Sequence, residues 1–477
     1  MRALLLLALA LLALASCKVG PNFVRPEAET PPAFKEAKDW KPAHPSDTAP
    51  RGPWWSVYDD PILDALEQQV AISNQNLKAS EAAFRQARAI VHETEATLFP
   101  VVSATGSATH AGVGARGTGR SGSVFTLTGQ ASWEIDLWGR IRRQVEANVA
   151  SAQASAADLA NAQLSAQALL AVDYLQLRIS DQLKKVLDDN VEDFRLSLVI
   201  TQNRYRAGIA SRSDVASAEA QLDGTRAQSI AVGVQRAALE HAIAVLVGKP
   251  PAEFSIEPKL YDLHVPDIPV SLPSALLERR PDIAGDERRI QSANAQVGVA
   301  IAAYYPTLTL NASYGFASPS LGNLLEGPAS AWAVGGQVAE TIFDFGQRAA
   351  QVEAARAFYD ESVANYRQTV LTAFQQVEDE LAALRILEQE DAVQRNAVKS
   401  AQEAVQLFIN QYKAGTIAYT SVIIAQAAAL QDEQTQLNIL QGRLVASVSL
   451  MEALGGGWDA GQLPNQDQLG EGRQAFP

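Results

Sequence analysis

The chain has 477 residues, a formal charge of −14 and one cysteine. The negative balance excludes a nucleic-acid partner, because phosphate binding needs a basic surface. A single cysteine excludes an intrachain disulfide framework, so stability must come from packing and assembly.

Met1-Arg2 is followed by an apolar run from Ala3 to Ala15, too short to span a bilayer as a mature helix, and residues 1–16 read as a secretory signal. The run closes on Leu14-Ala15-Ser16-Cys17, the small-residue pattern of a bacterial lipoprotein signal. Processing there would leave Cys17 as the N-terminus, carrying an N-acyl chain and an S-diacylglycerol; no other cofactor is expected. The alternative is a chance cysteine beside an ordinary cleavage site. Lys18 is not the aspartate that holds many lipoproteins at the inner membrane, so the expected destination is the outer membrane. One acylated terminus holds weakly, and further membrane contacts are expected. No later segment reads as the roughly 20 apolar residues of a spanning helix, so any crossing must use strands.

Residues 17–60 read as an extended, lipid-anchored arm, rich in Pro, Ala and charge as far as Pro53. Trp54-Trp55 opens the ordered part, as a packed cap in preference to a ligand-binding pair. A helix is expected over about Pro61–Leu98. The period then changes: Ser103, Thr105, Ser107 and Thr109 alternate with Val102, Ala104, Gly106 and Ala108, and Phe125, Leu127, Gly129, Ala131 and Trp133 alternate with Thr126, Thr128, Gln130, Ser132 and Glu134. Runs of about ten residues with one apolar and one small polar face are the mark of transmembrane β-barrel strands. Between them, Gly112-Val113-Gly114-Ala115-Arg116-Gly117 matches a dinucleotide fingerprint, but a polar run and a strand follow instead of a helix, so it reads as an extracellular loop.

From Arg140 to Arg204 neither Pro nor Gly interrupts a sequence dominated by Ala, Leu, Gln, Glu and Arg. Val145, Val149, Ala152, Ala156, Leu159, Gln163, Ala166, Leu170, Asp173 and Leu177 step by four and three, a heptad seam. Such a helix would run near 100 Å at about 1.5 Å per residue. Gly208 sits where a C-cap needs positive φ, and a second helix is expected from about Ser211 to Val247, giving a hairpin whose tip is that glycine.

The remainder repeats this plan. Asn203-Arg204-Tyr205-Arg206-Ala207-Gly208 returns as Asn410-Gln411-Tyr412-Lys413-Ala414-Gly415 at an offset of 207 residues, and Leu98-Phe99-Pro100 faces Tyr304-Tyr305-Pro306 at 206. Residues 61–258 and 259–456 are therefore two copies of one unit, with 457–477 as a tail. The second copy predicts a helix over Pro273–Tyr304, strands from Thr307 to Phe316 and around Trp332, Val334 and Val338, a seam from Val352 to Leu384 that places Glu380 where the first has Asp173, and a partner helix over Tyr419–Leu454. Four strands cannot close a membrane barrel, and open edges are forbidden in lipid, so other copies must complete it; three would give twelve strands.

These residues resemble the outer-membrane efflux protein family, the lipoprotein branch of the outer-membrane factors of tripartite pumps. The resemblance rests on Cys17 with Val19-Gly20-Pro21-Asn22-Phe23, Trp54-Trp55 leading to Asp60-Pro61, Asp136-Leu137-Trp138-Gly139-Arg140, Arg279-Arg280-Pro281-Asp282, both Tyr-x-Ala-Gly turns and Leu454-Gly455-Gly456-Gly457-Trp458. It implies an α+β membrane channel: a homotrimer with a twelve-stranded barrel in the outer membrane of a Gram-negative bacterium and a long periplasmic α-helical barrel. It also implies an adaptor protein gripping the hairpin tips, an inner-membrane transporter supplying energy, and passive conduction through tips that dilate like an iris. The family's gate lies just after the tip glycines, and by motif position Asp214 and Tyr412 match one of its contacts. The sequence departs at Ile417, Ser421 and Ile424, where relatives carry an arginine and acidic rings. An apolar constriction at Ile424 with a weaker latch at Asp214 is therefore expected; Tyr205 and Tyr412 serve either helix packing or the latch. The rival readings are a type I secretion duct, which shares the fold, and a lipid-anchored periplasmic coiled-coil scaffold without a pore. No enzyme is expected: the five histidines show no ligand spacing and no Ser/His/Asp arrangement appears.

Overall fold

The computed structural model describes residues 18–36, 53–113, 120–261, 263–268 and 276–470. Cys17 and the signal before it, part of the arm, the centre of the glycine-rich run and the last residues of the tail lie outside them. Each half contributes two strands and a long helical hairpin. In the first, α1 (Pro61–Ser73) and α2 (Gln75–Ala96) precede β1 (Val101–Val113) and β2 (Arg120–Ile135), followed by α3 (Arg140–Arg206) and α4 (Arg212–Leu246). In the second, α5 (Leu276–Arg279) and α6 (Pro281–Ala302) precede β3 (Thr307–Ser318) and β4 (Ser330–Ala339), followed by α7 (Gln347–Ala414) and α8 (Tyr419–Ala453); α9 (Gln466–Gly470) closes the described tail.

The strands form one antiparallel sheet in the order β1-β2-β3-β4, so β1 and β4 are free edges. Alternation set their place, and the sheet turns both faces outward: all of β4 is exposed. Gly112 and Val113 belong to β1, not to the loop expected there, and pair with Ser121 and Arg120.

Each helix expected before the strands is broken. Asn74 lies at ψ 125° and its side chain accepts from Asn76 N and Leu77 N, so it ends α1 and caps α2. In the second half Pro281 pushes Arg280 into an extended conformation, ψ 124°, and starts α6 anew. The same logic turns strand into long helix. Asp136 accepts from Ile141 N and Arg142 N at the head of α3, and Asp344 accepts from Arg348 N at the head of α7.

The seam is not continuous. It is buried from Val145 to Ala152 and again at Leu170 and Leu177, but Gln163 between them is exposed, as is Arg356 on α7. The break falls where α3 exchanges one neighbour for another. Leu469 of the tail closes a small cluster with Val91, Val145, Val149 and Ala152, whereas Tyr174, Leu177, Val370, Val377, Leu444 and Leu450 belong to the main core. Trp54 and Trp55 are buried in that core, edge to face at 5.7 Å, as a packed cap. Asp60 caps α1 through Ile62 N and accepts a 2.5 Å bond from the Tyr174 hydroxyl. Contrary to the expectation that no later segment could span a bilayer as a helix, α4 is long and apolar enough to do so by length and composition. It is one limb of a hairpin, and Ala, Val and Ile between its polar residues raise the average without forming an unbroken apolar run.

The arm starts at the end of the sheet. Val19 N donates to Trp138 O, and the buried Arg143 donates to Val19 O, Gly20 O and Asn22 Oδ1. Farther along, Phe34 meets Phe374 at 6.5 Å and the backbone of Lys35 and Glu36 donates to Glu378.

Candidate gate at the helical tips

Both long helices end on a glycine in the left-handed region, Gly208 at φ +74° and Gly415 at φ +79°. That conformation lets Ile209 N reach Arg204 O at 2.9 Å and Thr416 N reach Gln411 O at 3.0 Å, satisfying carbonyls the helix leaves free. The chain then reverses into α4 and α8.

Asp214 is spent on its own helix. Its carboxylate accepts from Ser211 N at 3.0 Å while Ser211 Oγ accepts from Asp214 N at 3.1 Å, a reciprocal capping box. Among the described residues no hydrogen bond joins Asp214 to Tyr412, so the contact implied by motif position does not form within one protomer. The Tyr412 hydroxyl is buried and has no hydrogen-bond partner among the described residues, and its ring packs on Tyr419 at 5.1 Å. Tyr205, its counterpart in the first turn, is 46% exposed. The same motif residue is thus a core aromatic in one half and a surface one in the other.

Other side chains tie the two hairpins together. The Arg204 guanidinium lies 4.7 Å from the Tyr412 ring centroid and donates through Nη1 to Lys413 O at 3.1 Å. Gln426 Nε2 on α8 donates to Ser197 Oγ on α3 at 2.9 Å, both groups buried. Burial pushes the Tyr419 hydroxyl up to about 12, Tyr412 and the Asp214 charge add to the shift, and a hydrogen bond between Tyr419 and the Thr201 side chain opposes it. Tyr412, Tyr419, Val422 and Ala218 form an apolar knot against which Ile417 packs. Ser421 is half-buried beside it, and Ile424 is 65% exposed.

Above the tips a groove of about 890 Å³ runs between the hairpins, lined by Asp189 and Asp193 of α3, Glu403 of α7 and Glu433 of α8. Glu433 accepts from Asn190 at 2.9 Å and Gln402 at 2.6 Å, linking three helices. Burial raises the Asp193 carboxyl, and Asp189 and Glu433 raise it further. Among the described residues no cluster of three His, Cys, Asp or Glu side chains is arranged to hold a metal.

Sequence reasoning missed Thr201, Arg204, Tyr419 and Gln426. Arg204 stood inside a repeated motif whose second copy has Gln411, and that asymmetry was its one available signal. The other three join segments more than 200 residues apart and leave no periodic trace.

The outer membrane efflux protein family profile matches residues 66–249 and 272–456, one match per half. The toluene efflux pump outer membrane protein TtgC of Pseudomonas putida is 30% identical over 464 residues, covering 96% of each chain. The cation efflux system protein CusC of Escherichia coli is 26% identical, over 94% of this chain and 97% of that one. Among solved structures the outer-membrane channel OprN superposes with a TM-score of 0.87 at 29% identity, covering 93% of this chain and 100% of its own. Two matched repeats, hairpins ending in paired glycines and relatives alike over nearly their full length lead to one assignment: the chain belongs to the outer membrane efflux protein family.

Proposed function

We propose that this chain is the outer-membrane exit channel of a tripartite efflux pump, three copies closing a twelve-stranded barrel above a periplasmic helical duct. The observation that carries the reading is a four-stranded sheet with two free edges whose strands run directly into helices of 67 and 68 residues. Free edges are not tolerated in lipid, so closure by further copies follows. The function is transport and not catalysis: the duct conducts passively what an inner-membrane transporter delivers through an adaptor seated on the tips.

The cargo is set by that transporter, in keeping with full-length likeness to channels named for toluene and for cations. Lipidation of Cys17 is part of the proposal. Support comes from Val19, pinned by Trp138 and Arg143 at the end of the sheet, which brings an acyl chain on Cys17 to the membrane edge. The gate is proposed at the tips, with Ile424 as the apolar constriction. Asp214 contributes through the capping box that holds the α4 turn, while Arg204, Thr201 and Gln426 hold hairpin to hairpin.

The test is the mass and location of the protein made in a Gram-negative host. A trimer of triacylated chains in the outer-membrane fraction, with the lipid lost in Cys17→Ala, is expected. Monomers in the periplasmic fraction would contradict the channel reading.

A further inference from the structure

The repeat fixes more than the number of copies. The first strand hairpin pairs Val101 with Ser132 and the second pairs Thr307 with Ala339, so one register serves both when β1 maps onto β3 at an offset of 206 and β2 onto β4 at 207. Between the hairpins β2 meets β3, with Gln130 opposite Ser313, Thr128 opposite Gly315 and Ile135 opposite Leu308. A closed ring needs one further junction, from β4 to β1 of the next copy, and it is the counterpart of β2 against β3. We propose that β4 pairs antiparallel with β1 of the next copy in the register that sets Gln337 opposite Ser107, Gly335 opposite Thr109 and Ile342 opposite Val102. This rests on the channel reading above and specifies its interface.

Three observations inside one protomer support that register. Ile342 is 88% and Val102 76% exposed, whereas their counterparts Ile135 and Leu308 cover one another and are half-buried. The proposed ladder, continued past Ala339, brings these two apolar side chains together. The second observation concerns a close approach. Gly315 lies so near β2 that a Cβ there would come within 2.8 Å of Thr128 Cα. At the proposed junction the two residue types exchange strands: Thr109 is the counterpart of Gly315, and Gly335 of Thr128. Gly335 has no atom of the described residues within 4 Å of its Cβ direction in the single protomer, so those residues give no reason for its small size. The third is aromatic. Trp138 stacks on Tyr305 at 4.9 Å, and their counterparts are Phe345 and Phe99, which are 91% and 58% exposed. Phe345 sits at φ +54°, unlike Trp138, with Phe343 at 4.4 Å. The backbone therefore differs at that point, and the strand register carries the proposal while the ring pair adds to it.

Because side chains alternate between faces, a slip of one residue would turn Ile342 and Val102 away from each other. A slip of two moves a partner by about 6.6 Å, beyond disulfide reach. The test uses Gln337→Cys combined in turn with Ser107→Cys, Thr105→Cys or Thr109→Cys in the full chain, oxidised in outer membranes, with each single variant as the control for Cys17. Linked dimers and trimers on non-reducing gels are expected several-fold more abundantly for the Ser107→Cys pair than for either neighbour. Strongest linking through position 105 or 109, or none at any of the three in a chain that is trimeric by native mass, would overturn the register and leave the channel reading standing. A monomeric chain would overturn both.

Discussion

The two long helices are copies of one repeat, 67 and 68 residues long, and they live in different surroundings. Buried residues follow one another along α3 from Ile141 to Thr201, because α2, α6, α4 and α8 surround it. Its copy α7 touches α6 and α8 and leaves Phe358, Leu371, Ile386, Val393 and Leu407 more than half exposed. Equal sequence periods thus give unequal burial. The difference teaches that the second repeat is an unfinished version of the first, its missing neighbours supplied by the next copy. The sheet says the same: β2 and β3 are paired on both sides, and β1 and β4 on one.

The comparison can be broken most forcefully at α3. Leu170 is fully buried, so Leu170→Ala is expected to lower protomer stability by about 2–5 kcal/mol, through lost transfer energy and a residual cavity. Helical circular dichroism against temperature checks it; an unchanged melting curve would mean that α3 is not the buried member.

A pH series sharpens the same contrast. Burial lifts the Glu67 carboxyl to about 9, with Asp64 adding to the shift, and neither of its oxygens has a hydrogen-bond partner among the described residues. Since the folded value lies above the unfolded one, the associated stability is fully present below about pH 4.5 and is lost as pH rises toward 9. Between pH 5 and 8 the protein should lose up to about 4 kcal/mol from this group, and Glu67→Gln should flatten that slope. Parallel pH profiles of the two proteins would refute the assignment.

Phe358→Ala tests the unfinished side. Its counterpart Ser151 contacts Ser292 of α6 across a 2.9 Å hydrogen bond, so Phe358 is expected to face another copy. Truncation should leave the melting of the helices unchanged and weaken the trimer by about 1–3 kcal/mol, read as a lower temperature of trimer dissociation on semi-native gels. The smallest effect is expected at the tip. Tyr412→Phe removes a buried hydroxyl that has no partner among the described residues, and stability should stay within about 1 kcal/mol of the parent or rise. A large loss would show that this hydroxyl bonds across copies.

Much of this was legible in the sequence. Alternation located all four strands, and the repeated Tyr-x-Ala-Gly turns located both tips, since a glycine that closes a long helical run is a local signal; a capping serine, Ser211, reinforces it in the first tip only, Ala418 standing at the N-cap in the second. Helix breaks at Asn74 and Arg280 were also written locally, in an Asx cap and a proline, but the continuous helical composition around them hid the change of direction. Ser211 and Asp214 stand three apart, the spacing of a capping box, and family likeness drew Asp214 toward a latch instead. What could not be read is the link from hairpin to hairpin. Thr201 with Tyr419 and Ser197 with Gln426 meet only because two long helices lie side by side, and neither side chain announces its partner. The seam failed at Gln163 for a related reason: a heptad repeat describes one continuous partner, and α3 has several in succession.

The measurement that bears most directly on the central claim is single-channel conductance of the purified protein in planar bilayers, wild type beside Ile424→Ala. A small conductance in the wild type that rises severalfold in the variant is the predicted result, since with the gate proposed at Ile424 a shorter side chain there would widen the constriction. Trimeric protein that conducts in neither form would contradict the account and leave a lipid-anchored scaffold in its place.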